Sequence, residues 1–473
     1  MDNRINMNEF VFQDLDRDSF DHKNDASYQA DFDYGITEDL VRQISKDKNE
    51  PEWMLEFRLD SLKKFLEMPM PSFGPDLKDL DFSEIVYYAK ASDVKNANDW
   101  DKVPSDIKKT FERLGIPEAE HKFLAGVGAQ YESEVVYHSL KKEWEDLGVI
   151  FEDCDVALQK HPEIFKKYFM KCVPNNDHKF AALHGAVWSG GTFLYIPKGV
   201  KLDQPLQAYF RMNAPSQGQF EHTLIIVEDD CEVGYIEGCS APKYGKNALH
   251  AGCVEIFVAK NSKVRYSSVE NWSKDTYNLN TKRAIVGKDS VMEWVGGNMG
   301  SGVTMLYPCS ILKGQGARAD HLGIAFANAG QFQDTGAKVI CAAKDTKVNI
   351  VMKSLSKGGG ISSYRGLLQV NPNAENVTAS VECDALILDE ISRSDTYPDM
   401  KIYNDNVTIA HEAKTGKLNA EDIFYLTSRG ISEEEAKAMI INGFLEPIIK
   451  ELPMEYAVEM NRLIELEMEG SVG

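Results

Sequence analysis

Eight cysteines and one His-Glu pair are the residues of this 473-residue chain with the most distinctive chemistry. The cysteines stand at positions 154, 172, 231, 239, 253, 309, 341 and 383, without a CxxC pair. Six of them fall in a β-rich tract, where most cysteines are small buried hydrophobes. Cys239 differs, because Glu237-Gly238-Cys239-Ser240-Ala241-Pro242 has the pattern of a strand end entering a loop. We therefore expect an exposed, reactive thiol at Cys239.

Familiar catalytic motifs are missing from the sequence. No GxxxxGK[ST] phosphate loop is present, so the chain should not hydrolyse ATP by that route. His411-Glu412 begins like the HExxH motif of zinc proteases, but position 415 is Thr. The glycine-rich stretch 296–302 lacks the strand-to-helix context of a dinucleotide fold, and no GxSxG elbow occurs.

A repeated turn motif, called a corner below, predicts the fold that positions these residues. Polar corners followed by apolar alternation recur from about 224 to 388, and their markers are Asp230, Asn261, Asp289, Gln315, Asp345 and Asn373. The markers are spaced 31, 28, 26, 30 and 28 residues apart. Propeller blades need about 40 residues per repeat, and a sandwich has a turn roughly every 8–12 residues. The period predicts a parallel β-helix, with coils that bury their apolar faces against each other.

Helix signals lie on both sides of this tract. We predict a flexible N-terminus over 1–35, a helical domain over 36–174, a β-helix core over 175–410 and a second helical domain over 411–473. The N-terminal helices are expected from Thr37, from Pro51, and over 104–114, 132–147 and 155–169. The C-terminal ones are expected over 419–426, from the capping box Ser432/Glu435, and over 454–468. This last segment either caps the open β-helix edge or docks a partner protein.

Composition excludes several classes of protein. The net charge of −22 argues against a nucleic-acid partner, which would require a basic surface. No apolar run is long enough for a signal peptide near the N-terminus or for a membrane span. Dispersed cysteines without a dense framework fit a reducing compartment, so we expect a cytoplasmic protein without membrane contact.

Several segments together resemble the SufB family. The segments are Tyr34-Gly35-Ile36-Thr37-Glu38-Asp39, Asn49-Glu50-Pro51-Glu52-Trp53-Met54, the loop at 237–242, His411-Glu412-Ala413, 424–431 and 451–463. The likeness covers nearly the whole chain. It implies a scaffold, not an enzyme, that assembles transient iron–sulfur clusters in the SUF system on a right-handed parallel β-helix.

The resemblance also implies partners. ATP hydrolysis would belong to a separate SufC-like ABC ATPase, docked on the C-terminal helices through residues such as Phe424, Tyr425, Arg429, Met439 and Phe444. The other expected partners are a SufD-like paralogue or a second copy of the chain, and a sulfur donor of the cysteine desulfurase, SufU or SufE type. FAD is a further cofactor that the resemblance would allow, although no motif here supports it.

Site residues follow by the same resemblance. Sulfur would enter at Cys239 and pass through the β-helix interior along Arg211, Asn213, Glu270, Trp272 and Lys282. Without the resemblance, Arg211 and Lys282 would be assigned to a solvated face and Trp272 to core packing. Glu412, with His411 beside it, would hold the nascent cluster, and alternation would place these two on opposite faces of a strand. Either Cys383 or the partner chain would supply further ligands.

The sequence departs from the family pattern at two of these places. Ser392 stands where some members have a cysteine, and Glu270 stands where some have Gln. We therefore expect a transient cluster shared between subunits. Two other functions stay open: a purely structural β-helix subunit, and a β-helix enzyme acting on polysaccharides.

Overall fold

The computed structural model describes residues 34–90, 96–213, 216–243, 247–451, 460 and 462–464. The predicted flexible N-terminus lies outside these residues except for its last two positions. Most of the helix predicted over 454–468 also lies outside them. Among the described residues, no helix is both long and apolar enough to cross a membrane.

Helices surround the N-terminal side of the fold. They are α1 (Glu38–Asp47), α2 (Glu52–Glu67), α3 (Ser105–Arg113), α4 (Ile116–Phe123), α5 (Lys142–Glu145), α6 (Cys154–Lys160), α7 (Pro162–Tyr168) and α8 (Lys179–Val187), with a 3-10 turn at Trp100–Lys102. The Thr37 side chain accepts a hydrogen bond from the Leu40 amide and caps α1 as predicted, while Pro51 directly precedes α2.

The first wall of the solenoid is a ten-stranded sheet that is parallel after its opening hairpin. Its strands, in spatial order, are β2 (Glu134–Leu140), β1 (Gly126–Tyr131), β5 (Leu206–Arg211), β8 (Glu232–Ser240), β11 (Lys263–Asn271), β14 (Val291–Asn298), β17 (Arg318–Ala327), β20 (Lys347–Ser356), β22 (Val377–Ile387) and β24 (Val407–Lys417). Consecutive neighbours along the wall come from successive coils, which confirms the predicted parallel β-helix.

The remaining strands form a fourteen-stranded sheet, which turns at the long strand β21. One arm contains β3 (Ile150–Asp153), β4 (Gly191–Ile196), β7 (His222–Val227), β10 (Cys253–Val258), β13 (Thr281–Val286), β16 (Cys309–Leu312), β19 (Lys338–Cys341) and β21 (Ile361–Val370). The other contains β18 (Phe332–Thr335), β15 (Val303–Leu306), β12 (Thr276–Asn278), β9 (Ala248–His250) and β6 (Gly218–Gln219), and β23 (Arg393–Ile402) pairs with β21.

Polar corners stack along one edge because Asp and Asn tolerate left-handed backbone. Positive φ values occur at Asp230 (63°), Asn261 (57°), Asp289 (53°) and Asp345 (60°), four of the six predicted markers. The Asn261 amide donates to Asp230 Oδ1 at 2.8 Å, so one corner binds the next. The last marker was misplaced, because Asn376, not Asn373, has the positive φ (57°) and donates to Asp345.

Because side chains alternate between the two faces of each strand, the solenoid has one hydrophobic core in its interior and two on its outer faces. Interior residues such as Ile225, Val254 and Tyr266 pack in one continuous cluster along the solenoid. The outer faces of the same strands contact the N-terminal helices on one side and the C-terminal helices on the other. Each coil therefore buries apolar surface on both sides of its wall, as a solenoid covered by helices requires.

Some predicted elements are wrong. The helix expected over 132–147 is mainly the strand β2, because this segment pairs with β1 and not with itself. Helix α8 intervenes between Pro174 and the next strand, and β24 runs across the predicted domain boundary at 410/411. The ranges proposed for the domains stay predictions.

Two C-terminal helices follow the last strand: α9 (Ala420–Thr427) and α10 (Glu433–Ile449). Asn419 caps α9, and Ser432 and Glu435 form the predicted capping box of α10. Helix α10 buries Ile441 and Leu445 against the outer face of the ten-stranded sheet, whereas α9 has no buried residue. The first helix therefore extends from the surface and the second is anchored to it.

Candidate functional site

Cys239 lies inside the solenoid. It is the eighth residue of β8, its side chain belongs to the interior cluster, and only 1% of it is exposed. The predicted exposed thiol is therefore wrong, since the strand continues through Cys239 and alternation turns this side chain inward. Its register partner on the following coil is Glu270.

Beside Cys239, a buried lysine joins two carboxylates. Lys282 Nζ lies 2.8 Å from Glu237 Oε1 and 2.7 Å from Glu270 Oε1, and all three residues are buried. Tyr266 donates its hydroxyl hydrogen to the other oxygen of Glu237. These residues come from β8, β11 and β13, so only the coiling of the chain assembles them. Lys282 is thus not on a solvated face.

The polar line continues deeper into the same coils. Asn278 donates to Glu270 Oε2 at 2.5 Å, and its own carbonyl oxygen lies 2.8 Å from His250 Nδ1. His250 Nε2 contacts Glu221 Oε1 at 2.5 Å. A cavity of about 40 Å³ adjoins Lys282 and extends toward His321. The interior therefore contains a connected polar path, not an apolar core alone.

The sequence analysis did not identify several members of this path, among them Glu237, His250 and Glu221. Glu237 had a usable signal, because it stands two residues before Cys239 and must share its face of the strand. His250 and Glu221 had none, since their place depends on which coils become neighbours.

Burial and charge keep the Cys239 thiol protonated at rest. Burial raises its pKa well above the ordinary value, Glu237 and Glu270 add to the rise, and Lys282 opposes it. Burial alone would lower the pKa of Lys282, but the two carboxylates raise it above the ordinary value. Burial alone would likewise lower the pKa of His250, but Glu221, Glu270 and Asn278 together raise it above the ordinary value. The path therefore carries buried cations that are balanced by carboxylates.

The other predicted path residues divide between this site and its surroundings. Trp272 is buried in the interior, with its ring centroid 4.4 Å from that of His250. Arg211 is buried but donates to Ser240 Oγ at 2.9 Å, the residue after Cys239. The Asn213 amide N–H donates to Glu132 Oε1. The structure thus brings together Cys239, Glu270, Trp272 and Lys282 and places Arg211 and Asn213 next to them at the strand ends.

A second candidate site lies in the last two coils. His411 Nε2 lies 4.0 Å from Cys383 Sγ, and burial raises the pKa of this thiol to about 12. Glu412 points to the opposite face, where its exposed carboxylate pairs with Lys414 Nζ at 3.0 Å. The predicted alternation of the two neighbours is confirmed. His411 and Cys383 can therefore approach one ion, while Glu412 faces away from them toward solvent.

Most of the residues predicted to dock a partner lie on the surface. The exposed fractions are 73% for Phe424, 57% for Tyr425 and 52% for Met439. The Arg429 guanidinium stacks on Tyr425, 3.6 Å from the ring centroid. Phe444 is different, because it is half-buried beneath Lys353, whose Nζ lies 4.6 Å from its ring.

Comparison with known proteins gives a consistent result. Residues 210–444 match the family described as "SUF system FeS cluster assembly, SufBD core domain", and residues 47–208 match "SufBD protein N-terminal region". The chain belongs to the SufBD family. A SufBD family protein of Staphylococcus saprophyticus, described as an iron-sulfur cluster assembly protein, is 56% identical over 439 residues. A similarly described Staphylococcus aureus protein (strain MRSA252) is 57% identical over 439 residues. Each alignment covers 93% of this chain and 94% of the relative.

Membership of the SufBD family places this protein in iron–sulfur cluster assembly. The structure confirms the β-helix with helical flanks that the resemblance implies. The comparisons confirm membership of the SufBD family, which is wider than SufB. The alternative of a polysaccharide-active enzyme has no support from either.

Proposed function

We propose that this SufBD family protein is a SufB-type scaffold, which takes up persulfide sulfur at Cys239 and helps to hold a nascent iron–sulfur cluster at its C-terminal coils. The observation that carries the proposal is the enclosed position of Cys239 beside the Glu237–Lys282–Glu270 network. A persulfide there is shielded from solvent and oxidants. Iron and sulfur are the cargo of this scaffold, not resident cofactors.

Sulfur uptake at Cys239 requires a thiolate in the reacting state. The Cys239 sulfur attacks the terminal sulfur of the donor persulfide, a new S–S bond forms, and the donor sulfur leaves as a thiolate. That thiolate takes the proton that Cys239 loses. Lys282 stabilises negative charge near the new persulfide, while Glu237 and Glu270 fix its ammonium group. Later release as sulfide requires two electrons from a separate reductant.

At the C-terminal coils, His411 and Cys383 supply imidazole and thiolate ligands for iron. Glu412, on the opposite face of β24, would bind a different iron atom, and a SufD-like paralogue or a second copy would complete the site there. The Ser392 hydroxyl accepts a hydrogen bond from the Gly359 amide, so we assign it no iron. Arg211 and Asn213 would line the entrance beside Cys239, and Trp272 the path.

The partners follow from the exposed surfaces. Phe424, Tyr425 and Met439 form an exposed apolar and aromatic surface that fits a SufC-like ATPase, and Phe444 would mainly anchor α10. A cysteine desulfurase, with a SufU- or SufE-type carrier, would deliver sulfur. Eight free, buried cysteines suit a reducing cytoplasm. FAD has no support from the comparisons and is not part of the proposal.

Sulfur delivery tests the proposal most directly. The complex with the ATPase and the paralogue is supplied anaerobically with iron, a reductant, cysteine and the desulfurase, and persulfides are then alkylated and located by mass spectrometry. We expect a persulfide on Cys239, and we expect Cys239→Ala to lose cluster formation from cysteine. The matched control is Cys231→Ala, another buried interior cysteine, which should behave as wild type.

Inorganic sulfide separates the two sites. It should restore the cluster spectrum of Cys239→Ala but not that of Glu412→Ala, as followed by visible absorption and Mössbauer spectroscopy. Wild-type cluster formation from cysteine in Cys239→Ala would refute the sulfur role. An intact complex without a cluster spectrum under either supply would leave the chain as a structural subunit.

A further inference from the structure

Two histidines and a cysteine converge outside the solenoid interior. His184 lies on α8, while His222 and Cys253 are the first residues of β7 and β10 and are register partners on neighbouring coils. The potential ligand atoms of the three lie within 4.8 Å of one another, and each side chain is at most 1% exposed. Cys253 packs in the core beneath the N-terminal helices, whereas Cys239 packs in the interior, so this His–His–Cys cluster is separate from the sulfur path.

Hydrogen-bond partners determine how the two imidazoles face each other. His184 Nδ1 lies 3.0 Å from the Ala251 carbonyl oxygen, which can only accept, so this nitrogen carries a proton. His222 Nε2 lies 3.2 Å from Glu255 Oε2 but makes no hydrogen bond to it. The other two nitrogens, His184 Nε2 and His222 Nδ1, are 2.9 Å apart. Either a proton on His222 Nδ1 joins them, or a metal ion beside them takes both lone pairs.

Hydrogen bonds from the backbone hold Glu255 in place beside the cluster. Its oxygens accept hydrogen bonds from the amide groups of Met170, Cys172 and Val173, at 2.5, 2.6 and 2.8 Å. The Glu255 side chain therefore stays next to His222 without using a hydrogen bond from that ring.

The same three side chains offer the ligand atoms that a divalent metal ion needs. Imidazole nitrogens and a thiolate are ligands typical of Zn²⁺ and related borderline ions. A carbonyl and a carboxylate behind the two histidines are the partners that orient metal-bound imidazoles. One divalent ion, the Cys253 thiolate and the Glu255 carboxylate together have no net charge, as a buried site requires.

We propose that His184, His222 and Cys253 bind one divalent first-row transition metal ion of the zinc class, which links α8 to the fourteen-stranded sheet. Binding displaces the proton between the imidazoles and the thiol proton of Cys253, and both pass to solvent. Because the cluster is fully buried, the ion enters while the chain folds. The site does not depend on the proposed cluster assembly.

Cobalt substitution tests the site. The full chain is unfolded with chelator and reductant, then refolded anaerobically with Co²⁺ as the only metal. We expect one tightly retained Co²⁺ per chain, with the ultraviolet band of a thiolate–cobalt bond. Cys253→Ser should remove the thiolate band, and His222→Gln should lower cobalt retention.

One cysteine variant is the matched control. Cys309→Ser changes another buried thiol and should keep the thiolate band. If refolding fails, cells expressing the chain are grown with added Zn²⁺, and the zinc content of purified wild type and Cys253→Ser is compared. Refolded chain without cobalt, or a thiolate band unaffected by Cys253→Ser, would overturn the proposal. The first result would assign a shared proton to the imidazoles.

Discussion

At the scale of single residues, the interior of the solenoid contains charged side chains that only the fold brings together. Lys282 contacts carboxylates from two other strands, Glu237 on β8 and Glu270 on β11. The sequence pattern around each of these residues indicates an ordinary strand. Their pairing depends on coil register, so sequence reasoning assigned Lys282 a place by resemblance alone.

Removing the Lys282 charge should destabilise the solenoid strongly. Lys282→Met leaves Glu237 and Glu270 buried without their cation, a change that typically costs about 3–5 kcal/mol. Lys263→Met is the matched control, because Lys263 pairs with Glu293 at 3.0 Å near the surface, where such pairs contribute about 0–1 kcal/mol. Urea unfolding measures both. Equal losses would show that the interior network does not stabilise the fold.

His250 should make stability fall at high pH. Its pKa is raised in the folded state, so its contribution is complete below the unfolded value of about 6.5 and declines as pH rises through the folded pKa. The stability difference between wild type and His250→Gln should therefore shrink with rising pH, measured by urea unfolding at a series of pH values.

His321 provides the opposite control. Burial lowers its pKa to about 3, so the unfolded chain binds a proton that the folded chain rejects below about pH 6.5. Relative to His321→Gln, wild type should lose stability as pH falls. Parallel behaviour of the two histidines would contradict the assigned charges of the network.

At the scale of elements, the corners could be predicted from the local sequence, whereas the strand pairings could not. Asp and Asn mark left-handed turns by their own conformational preference, which explains why Asp230 and Asn261 were located correctly. The segment 132–147 became a strand through its pairing with β1, which its own sequence does not indicate. The same reason explains why Cys239 proved buried: a strand end and a strand interior look alike until the neighbouring coil is known.

A corner substitution should distinguish backbone strain from side-chain bonding. Asn261→Val forces a β-branched residue to φ near 57° and should cost about 1–3 kcal/mol. Asn261→Gly keeps the left-handed conformation and loses only the exposed bond to Asp230, so its cost should be smaller. Urea midpoints of the two variants give the comparison. A glycine variant as unstable as the valine variant would refute the conformational argument.

At the scale of the whole molecule, the two ends of the solenoid are unequal. The first coils are covered by helices, whereas β23 exposes Tyr397, Met400 and Ile402, and most residues of β24 are exposed. Uncovered edge strands invite pairing with another chain. The end coil is therefore the surface on which the proposed paralogue, or a second copy, would complete the Glu412 site.

Charges on this end should weaken association without unfolding the coil. The double variant Met400→Glu/Ile402→Glu should lower the affinity for the paralogue, or for a second copy, by about tenfold or more. Leu66→Glu is the control, because Leu66 is 66% exposed on α2 at the other side of the fold. Sedimentation velocity measures both. An unchanged affinity would assign the contact to another surface.

The stacking of coils also sets a distance. Six strand steps separate β8, which contains Cys239, from β24, which contains His411. At roughly 4.8 Å per step, the two lie about 29 Å apart along the solenoid axis. No side chain reaches that far, so under the proposed function sulfur accepted at Cys239 would travel as a mobile species or through intermediate carriers. The number of coils thus sets the distance between Cys239 and His411. Inserting one whole coil would lengthen that distance by a single strand spacing and leave the residues of both sites unchanged.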